Sequence, residues 1–377
     1  LYKIRRFRPS MRSQRTLLIL TIVSVGMYLW ANSSRVTKVT DFFEEKYNAA
    51  VLMRTAMDSL RSYQFPRGMF IDDVNDPNAS ALIGQQFSPI TTETGDLEAK
   101  WTALNPNMAA VVTQYLLEAG LKKGDTVVAG VSGSLPGMNL ALYTAAEALE
   151  LDLVVISSVG ASSWGANDPY YTWIDMERIL NEKGVISTRS IAASIGGGED
   201  LGRQLSPEGR NLIRQAIERN HLQLIEERIL EESVNKRVKV FEDHLGGKQP
   251  SLYVNVGGAI ASIGHSRNSY LIGQGYKELL PNINYPRHGV IHVMNDKGIP
   301  ILNLTNIVQI AEEYSLPRSP NPLPEPGIGA LFQEERYNLI ICAIALIVVI
   351  ITMVVVLMFD SRLQRLNRPG SDPDTLM

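Results

Sequence analysis

The sequence predicts an α/β fold: a Rossmann-like, mostly parallel sheet with helices on both faces, flanked by two transmembrane helices. Short apolar runs of strand length, such as TVVAGV at 126–131 and LVVISS at 153–158, alternate with segments of helical period from residue 105 to residue 314. That is the pattern of a parallel sheet covered on two sides. Turns rich in Gly and Ser follow several of the runs. Uncharged stretches of 16 and 23 residues stand near the two ends, long enough to suggest membrane spans. Of 377 residues 45% are hydrophobic and 20% charged, with one Cys and a net charge of −3; this excludes collagen, a disulfide-stapled scaffold and a disordered chain. Cys342 alone makes neither an internal disulfide nor a cysteine metal site. The charge balance gives no surface built to grip nucleic acid.

In chain order, residues 1–15 form a basic cytoplasmic N-terminus, with Lys3, Arg5, Arg6, Arg8, Arg12 and Arg15 and no acid. The chain opens on Leu1, and Met11 is a candidate start. Residues 16–31 (TLLILTIVSVGMYLWA) cover about 24 Å as a helix. Arg15 and Arg35 can snorkel, and Tyr28 and Trp30 suit an interfacial belt. Leu29-Trp30-Ala31 offers one small residue where a signal-peptide cut wants more, so the run reads as a retained anchor. Residues 337–359 cover about 34 Å, enough for a hydrocarbon core of roughly 30 Å. Arg362, Arg365 and Arg368 follow in the tail, 360–377. The positive-inside rule then makes both termini cytoplasmic in a plasma (inner) membrane protein, with 32–336 outside. Those middle residues hold 27 basic and 36 acidic side chains, net −9.

A juxtamembrane helix and loop occupy 32–80. The helix, 41–63, has Phe43, Tyr47 and Val51 at helical spacing and an Asp41/Glu44 capping box. The stretch 64–85 is rich in turn formers without EF-hand spacing. The α/β domain is 81–315. Asn105-Pro106-Asn107 caps a helix reaching Gly120. Strand 126–131 passes into a helix ending near Leu149, and strand 153–158 follows. A helix at 171–183, a strand at 185–190, a long helix at 209–232, strands at 252–256 and 289–294, and a helix at 304–314 complete the domain. In 316–336, Pro317, Pro320, Pro322, Pro324 and Pro326 predict a stiff spacer of about 3.1 Å per residue leading back to the second span.

Open α/β sheets bind ligands at the carboxyl ends of their strands. There lies Gly130-Val131-Ser132-Gly133-Ser134-Leu135-Pro136-Gly137. Its small residues let backbone N–H groups approach an anion, the following helix adds a partial positive charge, and Ser132 and Ser134 add hydroxyls beside Gly133. The loop is neither G-x-G-x-x-G nor a P-loop, and Ser157 and Ser158 stand where a dinucleotide site needs an acid; no nucleotide cofactor is expected. Gly130-Val131-Ser132 also begins a G-x-S-x-G nucleophile elbow, with Ser134 in place of the last Gly. A nucleophilic Ser132 would take Asp175 and one of His221, His244, His265, His288 or His292 as partners. A tight strand–helix turn explains the same residues without chemistry. His288 and His292, four residues apart on a strand, would stand about 13 Å apart, too far for one zinc, and no metal site is expected.

Two further loops follow strands. One carries Ser162, Ser163 and Trp164, the Trp either stacking on a ligand or anchoring its loop. The other is Gly196-Gly197-Gly198-Glu199-Asp200; Asn255-Val256-Gly257-Gly258 ends a later strand. Upstream, Thr91, Thr92 and Lys100 add polar groups, Lys100 as a cation for an anionic ligand or as a solvated surface residue. Several such loops at one sheet edge point to a pocket.

Ile90-Thr91-Thr92, Asn105-Pro106-Asn107, Gly130 through Pro136, Ala161-Ser162-Ser163-Trp164-Gly165-Ala166-Asn167 followed by Trp173-Ile174-Asp175-Met176-Glu177, and Gly196 through Asp200 together resemble the poly-γ-glutamate system protein family, over roughly 81–303. The resemblance implies a bacterial accessory membrane protein of poly-γ-glutamate (capsule) synthesis or export. Its partners would be the poly-γ-glutamate synthase membrane subunit and the amide ligase. It implies an anionic polymer or small carboxylate as ligand and transfers no catalytic assignment. The alternative is a membrane-tethered serine hydrolase or transpeptidase acting on γ-glutamyl bonds. A domain at −9 repels a polyanion over about 8–10 Å. Binding would then run through helix N-termini, backbone N–H nests and cations such as Lys100 or Arg178.

Overall fold

The computed structural model describes residues 13–68 and 72–366, with side chains to residue 361. The basic residues Lys3, Arg5, Arg6, Arg8, Arg12 and Arg368 lie outside the described residues, as do the side chains of Arg362 and Arg365. Two compact units emerge, Leu1–Val39 with Gln333–Met377, and Thr40–Phe332.

In the first unit, helix Gln14–Ser33 leads to strand Arg35–Val39, which pairs antiparallel with Gln333–Tyr337, Arg35 opposite Tyr337 and Val39 opposite Gln333. Helix Leu339–Leu366 follows. Gln14–Ser33 and Leu339–Ser361 are long and apolar enough to cross a membrane. Their side chains are apolar all round, the mark of helices that meet hydrocarbon or a partner on every side.

The second unit runs, in order, α1 (Phe43–Gln64), α2 (Leu97–Ala103), α3 (Asn107–Glu118), β1 (Thr126–Ser132), α4 (Pro136–Ala148), β2 (Asp152–Ser158), α5 (Trp173–Glu182), β3 (Ser190–Ser194), α6 (Pro207–Arg219), β4 (Gln223–Ile225), α7 (Leu230–Leu245), β5 (Leu252–Val256), α8 (Ile260–Ile263), α9 (Asn268–Ile272), β6 (Gly275–Lys277), α10 (Val290–Asp296), β7 (Ile301–Leu304) and α11 (Ile307–Glu313). The strands form one seven-stranded sheet in the order β4–β3–β2–β1–β5–β7–β6. Every pair is parallel except β7 with β6. From β1 the chain builds outward through β2, β3 and β4, then crosses to the other side with β5. The order therefore reverses between β1 and β5, the switch point at which open sheets leave a crevice.

Alternation along the strands fills two cores. Val127, Ala129 and Val131 pack with Val155, Leu252 and Val254, and with Ile174 and Ile179 of α5 and Ile213 of α6. Val128, Val154, Ile156 and Tyr253 face the other way, onto Leu230, Val234 and Phe241 of α7 and Ile291 and Met294 of α10. Helices thus cover both faces, as the alternating pattern predicts. Helix α1 belongs to this unit: Ala49, Ala50, Met53, Ala56, Met57 and Leu60 make one buried stripe in the first core. The α/β unit is accordingly larger than the expected 81–315.

Several expected elements are corrected. The Asp41/Glu44 capping box does not form; Phe42, at φ 57°, precedes α1 and no side chain caps it. The strand expected at 185–190 is instead Ser190–Ser194, whose small Ala192 and Ala193 fit between the two cores. The long helix at 209–232 is two helices with β4 between them, because Asn220 is drawn onto Asp175 and His221 takes φ 58°. The segment 289–294, rich in β-branched residues, is helix α10: His292 Nδ1 accepts the Gly289 N–H at 3.0 Å, capping the helix start. Leu304 closes strand β7 instead of opening a helix. The Pro-rich stretch is no free spacer up to residue 332. Asn107 Nδ2 donates to Glu325 O at 3.1 Å, Gly327 N donates to Asn107 Oδ1 at 3.1 Å, and Ser319 N donates to Thr102 Oγ1 at 3.1 Å, with Leu331 and Phe332 buried.

Candidate functional site

The β1–α4 turn sits on the switch point. Ser132 ends β1; its Oγ accepts from Ser134 N at 3.2 Å, and its carbonyl accepts from Asn139 Nδ2 at 2.9 Å. Gly133 N donates to Ser158 O at the end of β2, and Gly133 O accepts from Ala166 N, each pair fixing the turn at 2.8–2.9 Å. Across the crevice, Gly257 follows β5 at φ +85°, and a Cβ there would lie 3.3 Å from Ser132 Cβ. The left-handed backbone and the close approach both call for glycine. Asn255, fully buried, donates through Nδ2 to Gly257 O at 2.9 Å and to Asn303 Oδ1 at 2.8 Å.

Lys100 is the centre of the cluster. It projects from α2, whose start Asp96 caps by accepting from Glu98 N and Ala99 N. The side chain is 4% exposed, so it is no solvated surface residue. Its Nζ donates to Ser134 O and to Ser162 Oγ, the latter at 3.0 Å. Ser162 N in turn donates to Ser134 Oγ at 3.0 Å. Burial pulls the Lys100 ammonium down to about 8, with the Glu93 and Asp96 carboxylates restoring part of the loss. A buried ammonium is disfavoured because it leaves water's high dielectric.

The upstream strand-like segment clasps the same loop. Thr92 N donates to Ala161 O at 2.9 Å, and Ser163 N donates to Glu93 O at 2.9 Å. Thr91 Oγ1 accepts from Asn167 Nδ2 at 2.9 Å, and Gln204 Nε2 donates to Thr92 O at 2.7 Å. A Cβ on Gly197 would lie 2.9 Å from Thr92 Cγ2, so the 196–200 turn abuts this clasp. Trp164, at φ 60°, packs against the core and anchors its loop. Thr91, Thr92, Lys100, Ser132, Gly133, Ser134, Ser162, Ser163, Gly197, Asn255 and Gly257 therefore gather along one edge.

Asp175 does not join them. Its carboxylate accepts from Thr172 N, Thr172 Oγ1, Arg219 Nε at 2.9 Å and Asn220 Nδ2 at 2.8 Å, at the start of α5. Among the described residues no hydrogen bond links Ser132 to Asp175 or to a histidine, so the Ser132 triad is not assembled. His288 and His292 stack with ring centroids 4.9 Å apart, which corrects the strand separation. Burial, and His288 beside it, hold His292 down to about 4.

Arg237 escaped the sequence reading, as did the buried pairings of Asp200 and Glu177. Arg237 of α7 and Asp200 form an ion pair with both side chains 2% exposed. Arg237 Nη2 also donates to Ser158 Oγ at 2.9 Å and Ser194 Oγ at 2.5 Å, tying the ends of β2 and β3 to the 196–200 turn. The signal was available: Arg237 falls on the apolar stripe of Leu230, Val234 and Phe241. Glu177 of α5, wholly buried, meets the Tyr143 hydroxyl, and its Oε2 accepts from Ser190 N at 3.0 Å. Burial pushes its carboxyl up. A cavity of about 690 Å³ lies on another side of the 165–168 loop, lined by Asp76, Gln85, Asn167 and Tyr171, away from Lys100 and Ser132.

No family model matches the chain, and no curated protein matches it in sequence.

Proposed function

We propose that this chain is a membrane-anchored accessory component of a bacterial poly-γ-glutamate synthesis or export system. Its two apolar helices span the plasma membrane, both termini lie in the cytoplasm, and the α/β unit works outside, binding or guiding the polymer beside the synthase membrane subunit and the amide ligase. One observation carries the reading. Four of the segments that bear the resemblance, 90–92, 130–136, 161–167 and 196–200, are contiguous in space at the switch-point edge, hydrogen-bonded or packed on one another, whereas Asn107 of 105–107 pairs with Glu325 and Gly327, and Asp175 of 173–177 with Arg219 and Asn220. Loops after parallel strands share one edge in any such sheet; what supports a common site is that the upstream segment adds Thr92 and Lys100 to the same loops, Thr92 N on Ala161 O and Lys100 Nζ on Ser162 Oγ.

The chemistry suits a weak, local grip on an anionic chain. A unit rich in acids repels a polyanion at long range, so attraction comes from backbone N–H groups of the edge and from a cation without a carboxylate in contact, which Lys100 is. Such a grip lets a polymer slide. Deleting the chain from its host and measuring surface polymer amount and chain length tests the proposal. Loss of polymer or a changed length distribution is the expected result; an unchanged surface polymer on both measures refutes it.

A further inference from the structure

We propose that Lys100 and Ser162 form a serine–lysine pair for acyl transfer from an amide, with Ser162 Oγ as nucleophile and Lys100 Nζ as its general base. This assigns the nucleophile to a different residue from the elbow serine, Ser132. The pair is 3.0 Å apart, within reach for proton transfer. Among the described residues Lys100 touches a carbonyl and a hydroxyl but no carboxylate; Glu93 and Asp96 favour its ammonium only through space. Burial lowers it to about 8, which keeps a usable fraction neutral near physiological pH. With one N–H retained on Ser134 O, the neutral amine has its lone pair for the Ser162 O–H. Serine–lysine pairs are a known variant of the serine–histidine arrangement.

The surroundings hold the pair in place. Ser134 fixes both members, through its carbonyl on Lys100 and its Oγ on Ser162 N. Gly95 lies so close that a Cβ would be 2.9 Å from Lys100 Cε and 3.1 Å from Ser162 Oγ. Lys100 is 4% and Ser162 6% exposed; burial favours the neutral amine, and the exposure that Ser162 keeps is where the acyl group and, later, water must enter. Lys46 is an internal comparison: it too is buried on a hydroxyl, Thr40 Oγ1 at 2.8 Å, and a carbonyl, Leu331 O at 2.9 Å. Thr40 and Leu331 lie outside the edge formed by the loops after β1, β2 and β3.

In the first step Ser162 Oγ bonds to the amide carbonyl carbon while its proton passes to Lys100 Nζ. Collapse breaks the C–N bond, and Lys100 returns the proton to the departing amine. Water then attacks the ester, giving a proton to Lys100 and freeing the acid as Ser162 recovers its hydrogen; an amine in place of water gives transfer. That the amide is a γ-glutamyl one rests on the polymer reading above, whereas the pair itself does not.

A fluorophosphonate probe separates the two claims. In the full chain in detergent, Ser162 Oγ forms the bond to phosphorus as fluoride leaves, and peptide mass mapping locates the adduct. The expected result is label on Ser162, with a rate that rises through a midpoint near pH 8 and then levels. Ser162→Ala removes the label, Lys100→Met slows it about 100-fold or more, and Lys46→Met leaves it unchanged. The wild-type pH profile stands even where a variant fails to fold. No adduct at any pH, an adduct on Ser132, or a rate that climbs without a plateau overturns the pair. Chain-length analysis of poly-γ-glutamate incubated with the same protein is read separately. Label with shortened polymer supports both claims; label with intact polymer keeps the pair and removes this substrate.

Discussion

Replacing Arg237 by Met puts the buried ion pair of the sheet edge to a quantitative test. The guanidinium meets both Asp200 oxygens, through Nε at 3.3 Å and Nη2 at 3.1 Å, and neither side chain has more than 2% exposure. Methionine keeps most of the apolar stem and removes every donor of the head group. Asp200 would keep only the hydroxyls of Ser194 at 2.7 Å and Ser233 at 2.5 Å, two neutral donors around a carboxylate that water cannot reach. Stranding one member of a buried pair costs about 3–5 kcal/mol. At about 2–4 °C per kcal/mol for a unit of this size, the midpoint of thermal unfolding falls by roughly 6–20 °C. Adding Asp200→Asn removes the stranded charge, so the double variant melts above Arg237→Met alone, with a coupling of about 2 kcal/mol or more in a double-mutant cycle. The assay is heating of the full chain in detergent, followed by tryptophan fluorescence and circular dichroism together. If Arg237→Met melts within about 2 °C of the parent, or the two substitutions add, the carboxylate is not held as described.

Three pH and substitution tests accompany it. Lys100 binds its proton less tightly when folded, at about 8 against 10.5, so the unfolded chain holds more protons between those values and stability rises with pH across them. Relative to Lys100→Met, the parent should gain about 3 kcal/mol from pH 8 to 10.5 in urea titrations; parallel curves would count against a buried amine. His292, at about 4 against 6.5, also binds protons more weakly when folded, so its contribution is full above pH 6.5 and disappears as pH falls toward 4. Glutamine, which reaches back to an N-cap N–H from the same helix position, should flatten that window; a His292→Gln variant with unchanged acid sensitivity removes the assignment. Glu177 is the reverse case. Burial raises its carboxyl, so the folded state binds the proton more tightly than the unfolded chain, and the contribution is full below the ordinary glutamate range and fades as pH rises through the folded value. Glu177→Gln should be tolerated and lessen this loss, whereas Glu177→Ala, leaving the Tyr143 hydroxyl and the Ser190 N–H unpaired, should cost about 1–3 kcal/mol, read from the same denaturation curves.

Legibility varied with how much of each element's behaviour was local. Strands β1, β2 and β5 were readable because uninterrupted apolar runs flanked by turns have few other uses. The N-terminal helix α1 was readable from its period, although its place inside the α/β core was not. Segment 289–294 misled because Val and Ile favour strands on average, while the helix is set by a local cap from His292 onto Gly289 and by the close backbone approach of Gly289 to Gly264, 25 positions earlier. The site divides in the same way. The loops that follow β1, β2 and β3 were identifiable as an edge. Asp175 was misassigned because its carboxylate is saturated by Arg219 and Asn220, residues more than forty positions away.

By itself the amino-acid order determined the alternation of strands and helices, the two apolar helices and the cluster of small-residue turns, since each depends on neighbours within a few positions. Only the folded chain decided which charged side chains are buried, that Lys100 meets Ser162 instead of solvent, and that Arg237 meets Asp200. Burial and pairing of charge depend on what distant segments bring into contact, and a side chain's own sequence neighbours carry no record of that.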